Sequence, residues 1–185
     1  MKAIDSEFLR LTAETMSGSR LAAEEMFIQH GNTSCLKHSL AVAYFCYLIA
    51  KKLGFIEFRM KELVRGALLH DYFLYDWHTT KPKNGLHGFS HPYTAFYNAL
   101  FDFDLTEVEV DIITKHMFPL TPLLPLFKES VLVSLVDKVC SLYEVFSRNT
   151  YNIPEIQAAS AAILHSRANI NTFEVGSDKL SEELV

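Results

Sequence analysis

A histidine followed directly by an aspartate, at the end of an apolar segment, is the clearest chemical signal in the sequence. Leu68 and Leu69 lead into His70-Asp71, and we predict that they form the last turn of a buried helix. An ionised side chain near a core is costly unless it is paired or binds a metal. Neutral imidazole and carboxylate are both common ligands of Zn, Mn and Fe. The pair therefore indicates a transition-metal site that other segments must complete.

Four further residues are candidates to complete such a site: His38, His91, His116 and Asp137. His38 and Asp137 lie in the middle of apolar helical segments, where an aspartate disfavours the helix and is costly to bury as an ion. His91 precedes a proline at a predicted helix start, and His116 lies near a predicted helix end. Two buried helices with one unexplained polar residue each, and a third that ends in a ligand pair, suggest a shared cation. The alternative is that His38, His70, Asp71 and Asp137 are separately hydrogen-bonded polar residues of the core, that His91 caps a helix and that His116 is a cation at a helix C-terminus.

The elements that must position these residues are predicted to be helices. Apolar residues recur at helical spacing over about 2–15, 20–29, 34–53, 57–71, 91–100, 106–116, 128–147 and 154–165. Thr106 and Glu109 have the spacing of a capping box, and prolines at 119, 122 and 125 exclude a helix there. No segment alternates as a strand would. The predicted fold class is all-α.

A long segment between two of these helices is predicted to be a lid or a substrate wall. Residues 72–90 contain several aromatic side chains and histidines, together with glycine and proline. Loops of that length in a compact domain are usually functional or disordered, and the aromatic content argues against disorder. We further predict that the acidic residues between 102 and 111 form a solvated turn and helix start.

Length and composition place the chain among ordinary globular proteins. The 185 residues predict a single domain over 1–185. Its core would lie at about 30–147, with helices 2–29 and 154–165 packed on it and a loose tail at 170–185. The net charge of −5 gives no support to an extended nucleic-acid surface.

Localisation signals are few. No apolar run approaches the roughly 18 residues of a membrane span, and the N-terminal residues do not resemble a signal peptide. Cys35, Cys46 and Cys140 lack CxxC spacing and lie in apolar helical patterns. They are therefore predicted to be core residues of a cytoplasmic protein.

The ordered set of candidate ligands resembles the HD-domain metal-dependent phosphohydrolase superfamily. The matching segments are KHSLAVA around His38, GALLHD at His70-Asp71 and SLVDKV around Asp137. HPYTAF at His91 and ITKHM at His116 resemble the binuclear branch of that superfamily. The resemblance covers roughly residues 30–147 and implies an HD-domain helical bundle.

The resemblance also implies roles for these residues. His38, His70, Asp71 and Asp137 would hold a first metal, and Asp71 would bridge to a second metal held also by His91 and His116. Asp71 is accordingly the predicted catalytic residue. One or two divalent ions (Fe, Mn, Co, Zn or Ni) would activate a hydroxide that cleaves a phosphate ester or anhydride. The expected substrate is a nucleotide or another small phosphorylated metabolite.

Substrate contacts are predicted at Lys37, His87, Lys115 and Lys138. Each of the three lysines adjoins a proposed ligand and could meet a phosphate as a point charge. Neighbouring helical positions diverge by about 100°, so these lysines could equally point to solvent. His87 competes with His91 for the ligand role, and the motif favours His91.

An oxygenase activity and a non-enzymatic role remain alternatives, whereas cleavage of cyclic dinucleotides is not expected. HMFPLTP follows His116 where cyclic-dinucleotide phosphodiesterases of the superfamily carry their own motif, which argues against that substrate. HD-type diiron oxygenases use much the same ligands, but often carry a histidine three residues after the HD aspartate, where this chain has Leu74. A metal-stabilised sensor or partner-binding module is the third reading. The sequence is compatible with a homodimer.

Overall fold

Helices account for most of the regular structure in the computed structural model, which describes residues 5–16, 19–79, 87–147 and 150–168. The helices are α1 (Ser6–Met16), a 3₁₀ helix (Leu21–Met26), α2 (Cys35–Lys52), α3 (Met60–Leu69), α4 (His87–Asp102), α5 (Glu107–Lys115), α6 (Lys128–Phe146) and α7 (Pro154–Ala168). A short antiparallel ribbon pairs β1 (Ile28–His30) with β2 (Thr33–Ser34). The prediction of an all-α fold is confirmed.

Helix α2 lies at the centre of the bundle. It packs against α3, α6, α7 and the 3₁₀ helix. Leu36, Leu40 and Tyr47 on α2 are completely buried, as expected of a helix that is apolar on most of its surface. The Ser34 hydroxyl accepts a hydrogen bond from the Lys37 amide and so caps the helix. The capped start of α2 therefore lies about one helical turn before the candidate ligand His38.

Helices α3 and α5 pack side by side, and each is followed by a histidine at its C-cap, His70 and His116. One turn before His70, Gly66 faces Ile112, which lies one turn before His116. A Cβ atom at Gly66 would lie 2.5 Å from Ile112 Cδ1. The missing side chain allows the close approach, and the two histidine rings are 4.9 Å apart between centroids. The glycine thus helps to place two candidate ligands together.

The predicted capping box at the start of α5 is present, and it is buried. The Thr106 hydroxyl accepts from the Glu109 amide, and the Glu109 carboxylate accepts from the Thr106 amide. The same carboxylate forms a two-pronged ion pair with Arg65 of α3. The prediction that the acidic residues here are all solvated is therefore wrong for Glu109, because capping and the arginine satisfy it inside the protein.

The same correction applies to Asp111, which is 5% exposed. Its Oδ2 accepts hydrogen bonds from the backbone amides of Leu126 (2.8 Å) and Phe127 (3.2 Å). Its Oδ1 pairs with Lys115. Asp111 therefore holds the end of the proline-containing segment against α5.

The helix predicted over 20–29 is only partly correct. It is replaced by the 3₁₀ helix and then by β1, which turns through Gly31 into β2. Gly31 has φ of +57°, and a Cβ atom there would lie 2.7 Å from the Glu144 carbonyl oxygen of α6. Strands of two or three residues are too short to show alternation, which is why the pattern gave no warning.

Helix α4 begins one turn earlier than predicted. It starts at His87 rather than at His91-Pro92, and Pro92 lies inside it. Pro92 is the sixth residue of α4, beyond the first turn, so its missing amide removes one hydrogen bond within the helix. His87 and His91 are therefore four residues apart on one helix face.

The structure describes part of the predicted loop at 72–90 and none of the predicted tail at 170–185. Residues 72–79 run from the HD pair toward α4, whereas 80–86 and the predicted tail at 170–185 lie outside the described residues. The three cysteines are buried and form no disulfide, in agreement with the prediction of core residues. Within the described ranges, no helix is long and apolar enough to cross a membrane.

Candidate metal centre

The six residues predicted as ligands meet at one place in the bundle. His38 comes from the middle of α2, His91 from α4 and Asp137 from the middle of α6. His70 and His116 follow the last residues of α3 and α5, and Asp71 comes next after His70. All six are at most 6% exposed. The structure thus brings together side chains that are up to 99 positions apart in the sequence.

One half of the cluster contains His38, His70, Asp137 and one oxygen of Asp71. His38 Nε2 is 3.2 Å from Asp137 Oδ1 and 3.6 Å from Asp71 Oδ2. His70 Nε2 is 3.4 Å from Asp71 Oδ2 and 3.7 Å from Asp137 Oδ1. Two imidazole nitrogens and two carboxylate oxygens therefore surround a common point.

The other half contains the second oxygen of Asp71 with His91 and His116. Asp71 Oδ1 is 3.1 Å from His91 Nε2 and 3.6 Å from His116 Nε2. The two Nε2 atoms are 2.9 Å apart. The carboxylate of Asp71 therefore lies between two sets of histidines and presents a different oxygen to each set.

These separations are those of ligand atoms that share a cation. Metals lie about 2.0–2.2 Å from nitrogen and oxygen ligands, so two ligands of one ion lie roughly 3–3.5 Å apart. Two groups of described residues meet this condition: His38, His70 and Asp71, and then Asp71, His91 and His116. The geometry fits one ion on each side of Asp71.

Hydrogen bonds at the far nitrogen orient each histidine. Nδ1 of His70, His91 and His116 lies 2.7–2.9 Å from the carbonyl oxygens of Ala67, His87 and Ile113, respectively. Since a carbonyl only accepts, each Nδ1 carries the proton in the neutral ring, and the Nε2 lone pair faces the centre. His38 Nδ1 is bonded instead to a carboxylate, that of Glu144, at 2.9 Å.

Several atoms at the centre have no hydrogen-bond partner among the described residues. They are His38 Nε2, His70 Nε2 and Asp71 Oδ1, all buried. A buried polar atom without a partner is costly. A cation on the side of the two histidine nitrogens and another on the side of Asp71 Oδ1 would satisfy all three atoms. The residues present therefore fit a divalent metal site.

The electrostatics agree with a cation-binding role. Burial and the neighbouring His70 lower the pKa of His116 to about 3, so its lone pair is available at neutral pH. Burial alone would raise the pKa of Asp137, but His38 and His70 hold it well below its usual range. The pKa of Asp71 is lowered in the same way by the histidines around it. Both carboxylates are therefore ionised.

A family model of the HD domain matches residues 35–142. The chain belongs to the HD-domain family. This match spans His38, His70-Asp71, His91, His116 and Asp137, and it identifies the protein in general terms as a member of a superfamily of metal-dependent hydrolases. No curated protein and no solved structure matches the chain.

Three residues behind the metal centre of this HD domain were not found by sequence reasoning. Glu144 bonds His38 and also accepts from the Tyr151 hydroxyl at 2.7 Å. The Gln29 amide donates to Asp71 Oδ2. Glu24 is completely buried, and burial together with the charge of Asp71 raises its pKa. Of the three, only Glu144 had a usable signal, because it lies two helical turns after Asp137 on the same face of α6.

A cleft of about 640 Å³ opens onto the metal centre. Asp71, His91, His116 and Asp137 lie on its floor, and His87, Lys138 and Trp77 line its walls. Lys138 Nζ donates to the His116 carbonyl oxygen at 2.5 Å and to Asp137 Oδ2 at 3.1 Å. His87 and Lys138 are therefore placed where a substrate contact was predicted.

The two other lysines predicted to contact substrate do not line this cleft. Lys115 pairs with Asp111 on the far side of α5, and Lys37 is half-buried in the first turn of α2. His30, by contrast, lines the cleft, and its ring contacts the His38 ring edge-on at 5.8 Å between centroids.

The wall above His91 is a stack of aromatic rings. The His87 ring stacks on His91 at 4.7 Å and on Trp77 at 4.8 Å, and the Tyr75 hydroxyl lies 2.8 Å from His87 Nδ1. Burial, followed by the nearby His91, lowers the pKa of His87 to about 4, so this ring is neutral at pH 7. The described part of the predicted lid thus contributes a rigid aromatic wall.

Proposed function

We propose that this HD domain is a binuclear phosphohydrolase that cleaves a phosphate ester or anhydride of a nucleotide or another small phosphorylated metabolite. The observation that supports it most is the position of Asp71. One oxygen faces His38 and His70, and the other faces His91 and His116. A carboxylate shared in this way is suited to hold two cations close together.

The residues divide into two sets of ligands. His38, His70 and Asp137 would hold one divalent ion and His91 and His116 the other, with Asp71 common to both. When bound, the two ions supply Lewis-acid activation of a water molecule and neutralise charge on the phosphoryl oxygens. Glu144 and the backbone carbonyls keep the histidine rings oriented, and burial of the ligands excludes bulk water from the floor of the cleft.

The walls of the cleft favour a substrate that combines a phosphoryl group with an apolar or aromatic part. Lys138 and the neutral His87 can donate hydrogen bonds near the centre. The buried Nε1–H of Trp77 has no acceptor among the described residues and is a further donor. Met117, Leu120, Leu142 and Val145 line the rest of the wall. A single phosphate on a partly apolar body, such as a nucleoside monophosphate, suits these contacts better than a polyphosphate does.

The test is phosphate release by purified protein reconstituted separately with Mn²⁺, Fe²⁺ and Co²⁺. The panel contains nucleoside mono-, di- and triphosphates and simple phosphomonoesters. We expect metal-dependent turnover of at least one of them, and loss of turnover in both His70→Ala and Asp71→Ala. His165→Ala is the matched control, because this exposed histidine on α7 hydrogen-bonds only its own helix.

The same assay separates the proposal from its competitors. Turnover that persists in both variants would contradict the assigned site. Turnover of the iron form that requires oxygen, and stops under anaerobic conditions, would favour the diiron oxygenase reading. Metal binding without turnover of any substrate in the panel would favour a sensor or binding module.

A further inference from the structure

Helix α6 buries several polar residues beside Val133, Val136 and Cys140, and it leaves most of its other apolar residues exposed. The side chains that it buries include Glu129, Ser130, Ser134, Asp137 and Glu144. Its outward face carries Leu135, Val139, Leu142 and Phe146, which are 61%, 69%, 63% and 80% exposed. We call these four residues the α6 stripe. A helix at the surface of a monomer normally has the opposite arrangement.

The α6 stripe follows the spacing of one continuous helix face. Its members are separated by four, three and four residues, which is the repeat that packs one helix against another. Val131, Tyr143 and Val145 extend the apolar surface and are 45%, 47% and 59% exposed. The exposed surface of these seven side chains is on the order of the area that each partner buries in a standard-size complex, about 800 Å².

An apolar groove of about 740 Å³ runs along the stripe, and Leu135 and Val139 of the stripe line it. Phe45 and Ile49 of α2 form one side, Leu132 and Tyr143 of α6 form the other, and Tyr151 to Ile153 close one end. Among the residues that the structure describes, none that lines the groove is charged. Interface centres are depleted of charge in the same way, and apolar patches of this size on a soluble protein mark contact sites.

We propose that the α6 stripe and this groove form the interface of a homodimer. A ridge that lies next to a groove on the same face is self-complementary under a two-fold rotation, because the ridge of each copy meets the groove of the other. Each chain carries a net charge of −5. Two copies therefore repel one another except through an uncharged surface, and this is the surface that α6 offers.

The proposed interface adjoins the metal cleft without containing any predicted ligand. Leu142 of the stripe also lines the cleft. Val145, which extends the apolar surface beside the stripe, lines the cleft as well. In the dimer each cleft would therefore open beside the partner subunit. This inference does not depend on the proposed hydrolase activity, because it rests on the outer face of α6 alone.

The test is the molar mass of the purified chain from low to high micromolar concentration, by light scattering on a sizing column or by sedimentation. We expect a two-chain mass for the wild type. Leu135→Glu and Val139→Glu should each weaken the dimer by roughly a hundredfold or more, because each buries an unpaired charge in the interface. Both should then run as monomers.

The matched control is Phe101→Glu, which places the same charge on α4, where Phe101 is 76% exposed. It should remain a dimer. Circular dichroism and metal content should equal those of the wild type in all three variants, since every substituted side chain is exposed. A wild type that is monomeric at high micromolar concentration would overturn the proposal. So would a dimer that survives both substitutions on α6.

Discussion

The carboxylate of Glu144 shows how much of a metal site lies behind its ligands. It accepts from the imidazole of His38 at 2.9 Å and from the Tyr151 hydroxyl at 2.7 Å. Burial alone would lower the pKa of His38, but Asp137 and Glu144 raise it well above its usual value. The carboxylate therefore makes the ring a stronger base and fixes its orientation.

We predict that Glu144→Gln weakens metal binding about 10–100-fold, which is the usual effect of losing such a partner. The amide still fits the space, but it no longer attracts the imidazole proton as a carboxylate does. Metal competition with a chromogenic chelator measures the change. Glu155→Gln is the control, because Glu155 lies in the first turn of α7, away from the centre. Equal affinity in wild type and Glu144→Gln would show that the hydrogen bond does not matter.

Sequence reasoning found the candidate ligands because each was out of place in its own segment. His38 and Asp137 are polar residues in apolar helices, and His70-Asp71 ends one. Gln29 and Glu144 are not out of place in this way, since glutamine and glutamate are ordinary on helices and loops, and the signal of Glu144 is limited to its spacing from Asp137. Their positions depend on contacts between α6 and the β1–β2 ribbon, which no local pattern reveals.

At the scale of elements, the approach of α3 to α5 depends on Gly66. A methyl group there would lie 2.5 Å from Ile112 Cδ1 and 3.2 Å from its Cβ. We predict that Gly66→Ala destabilises the protein by about 1–3 kcal/mol, because the helices must separate or the isoleucine must leave its rotamer. Urea unfolding of the metal-loaded protein measures this.

Gly54→Ala is the matched substitution, because a Cβ atom there would meet only the Lys51 carbonyl oxygen at 3.7 Å. It should leave the free energy of unfolding nearly unchanged. If Gly66→Ala were as stable as Gly54→Ala, the contact between α3 and α5 could adjust to a methyl group at almost no cost in free energy of unfolding.

The anchor between α5 and the proline-containing segment should respond to acid. Burial alone would raise the pKa of Asp111, but Lys115 and the amides of Leu126 and Phe127 lower it. A carboxylate with a lowered pKa in the folded state stabilises that state above its unfolded pKa of about 4, and the contribution is lost as the pH falls below it.

We therefore expect Asp111→Asn to lower the free energy of unfolding at pH 7 and to reduce its decline between about pH 5 and pH 3. Chemical unfolding of wild type and variant at a series of pH values tests this. Asp76→Asn, at a more exposed aspartate in the 72–79 segment, should leave the unfolding curves much closer to the wild type. A variant that loses stability in acid as steeply as the wild type would contradict the assignment to Asp111.

Element types were predictable, and some of their ends were not. The helical periods and the capping box of α5 were visible because they are local. The early start of α4 was not visible, because proline is commonly the first residue of a helix. Whether a helix accepts a proline one turn further in, as α4 accepts Pro92, depends on the neighbouring structure. The ribbon from Ile28 to Ser34 was not predicted either, because its strands pair through backbone hydrogen bonds and are too short to show a side-chain pattern.

At the scale of the whole molecule, the centre gathers several buried ionisable groups whose arrangement fits a divalent cation. We predict that removal of metal by a chelator lowers Tm, and that Tm rises again with metal concentration, as binding to the folded state requires. Differential scanning fluorimetry with and without added Mn²⁺ or Co²⁺ measures both. His70→Ala should show a much smaller shift, and an unchanged Tm of the wild type on chelation would argue against a bound ion.

The overall architecture followed from the sequence, but the orientation of α6 did not. An almost continuous apolar pattern predicts burial on every side, and most of α2 is buried, although Leu48 and Ile49 are 38% and 36% exposed. In α6 the same apolar pattern does not show that Asp137 and Glu144 lie on the inner face of the helix. Only the three-dimensional packing shows that the apolar side is left outside.

The order of the candidate ligands along the chain has a consequence for biogenesis. His38 leaves the ribosome first and Asp137 almost a hundred residues later, so a nascent chain cannot complete the first ion's coordination until most of α6 has been synthesised. The second ion's candidate ligands, Asp71, His91 and His116, are all available earlier. We therefore expect metallation to be ordered in time during translation. A ribosome-bound chain truncated before residue 137 should capture one ion at most.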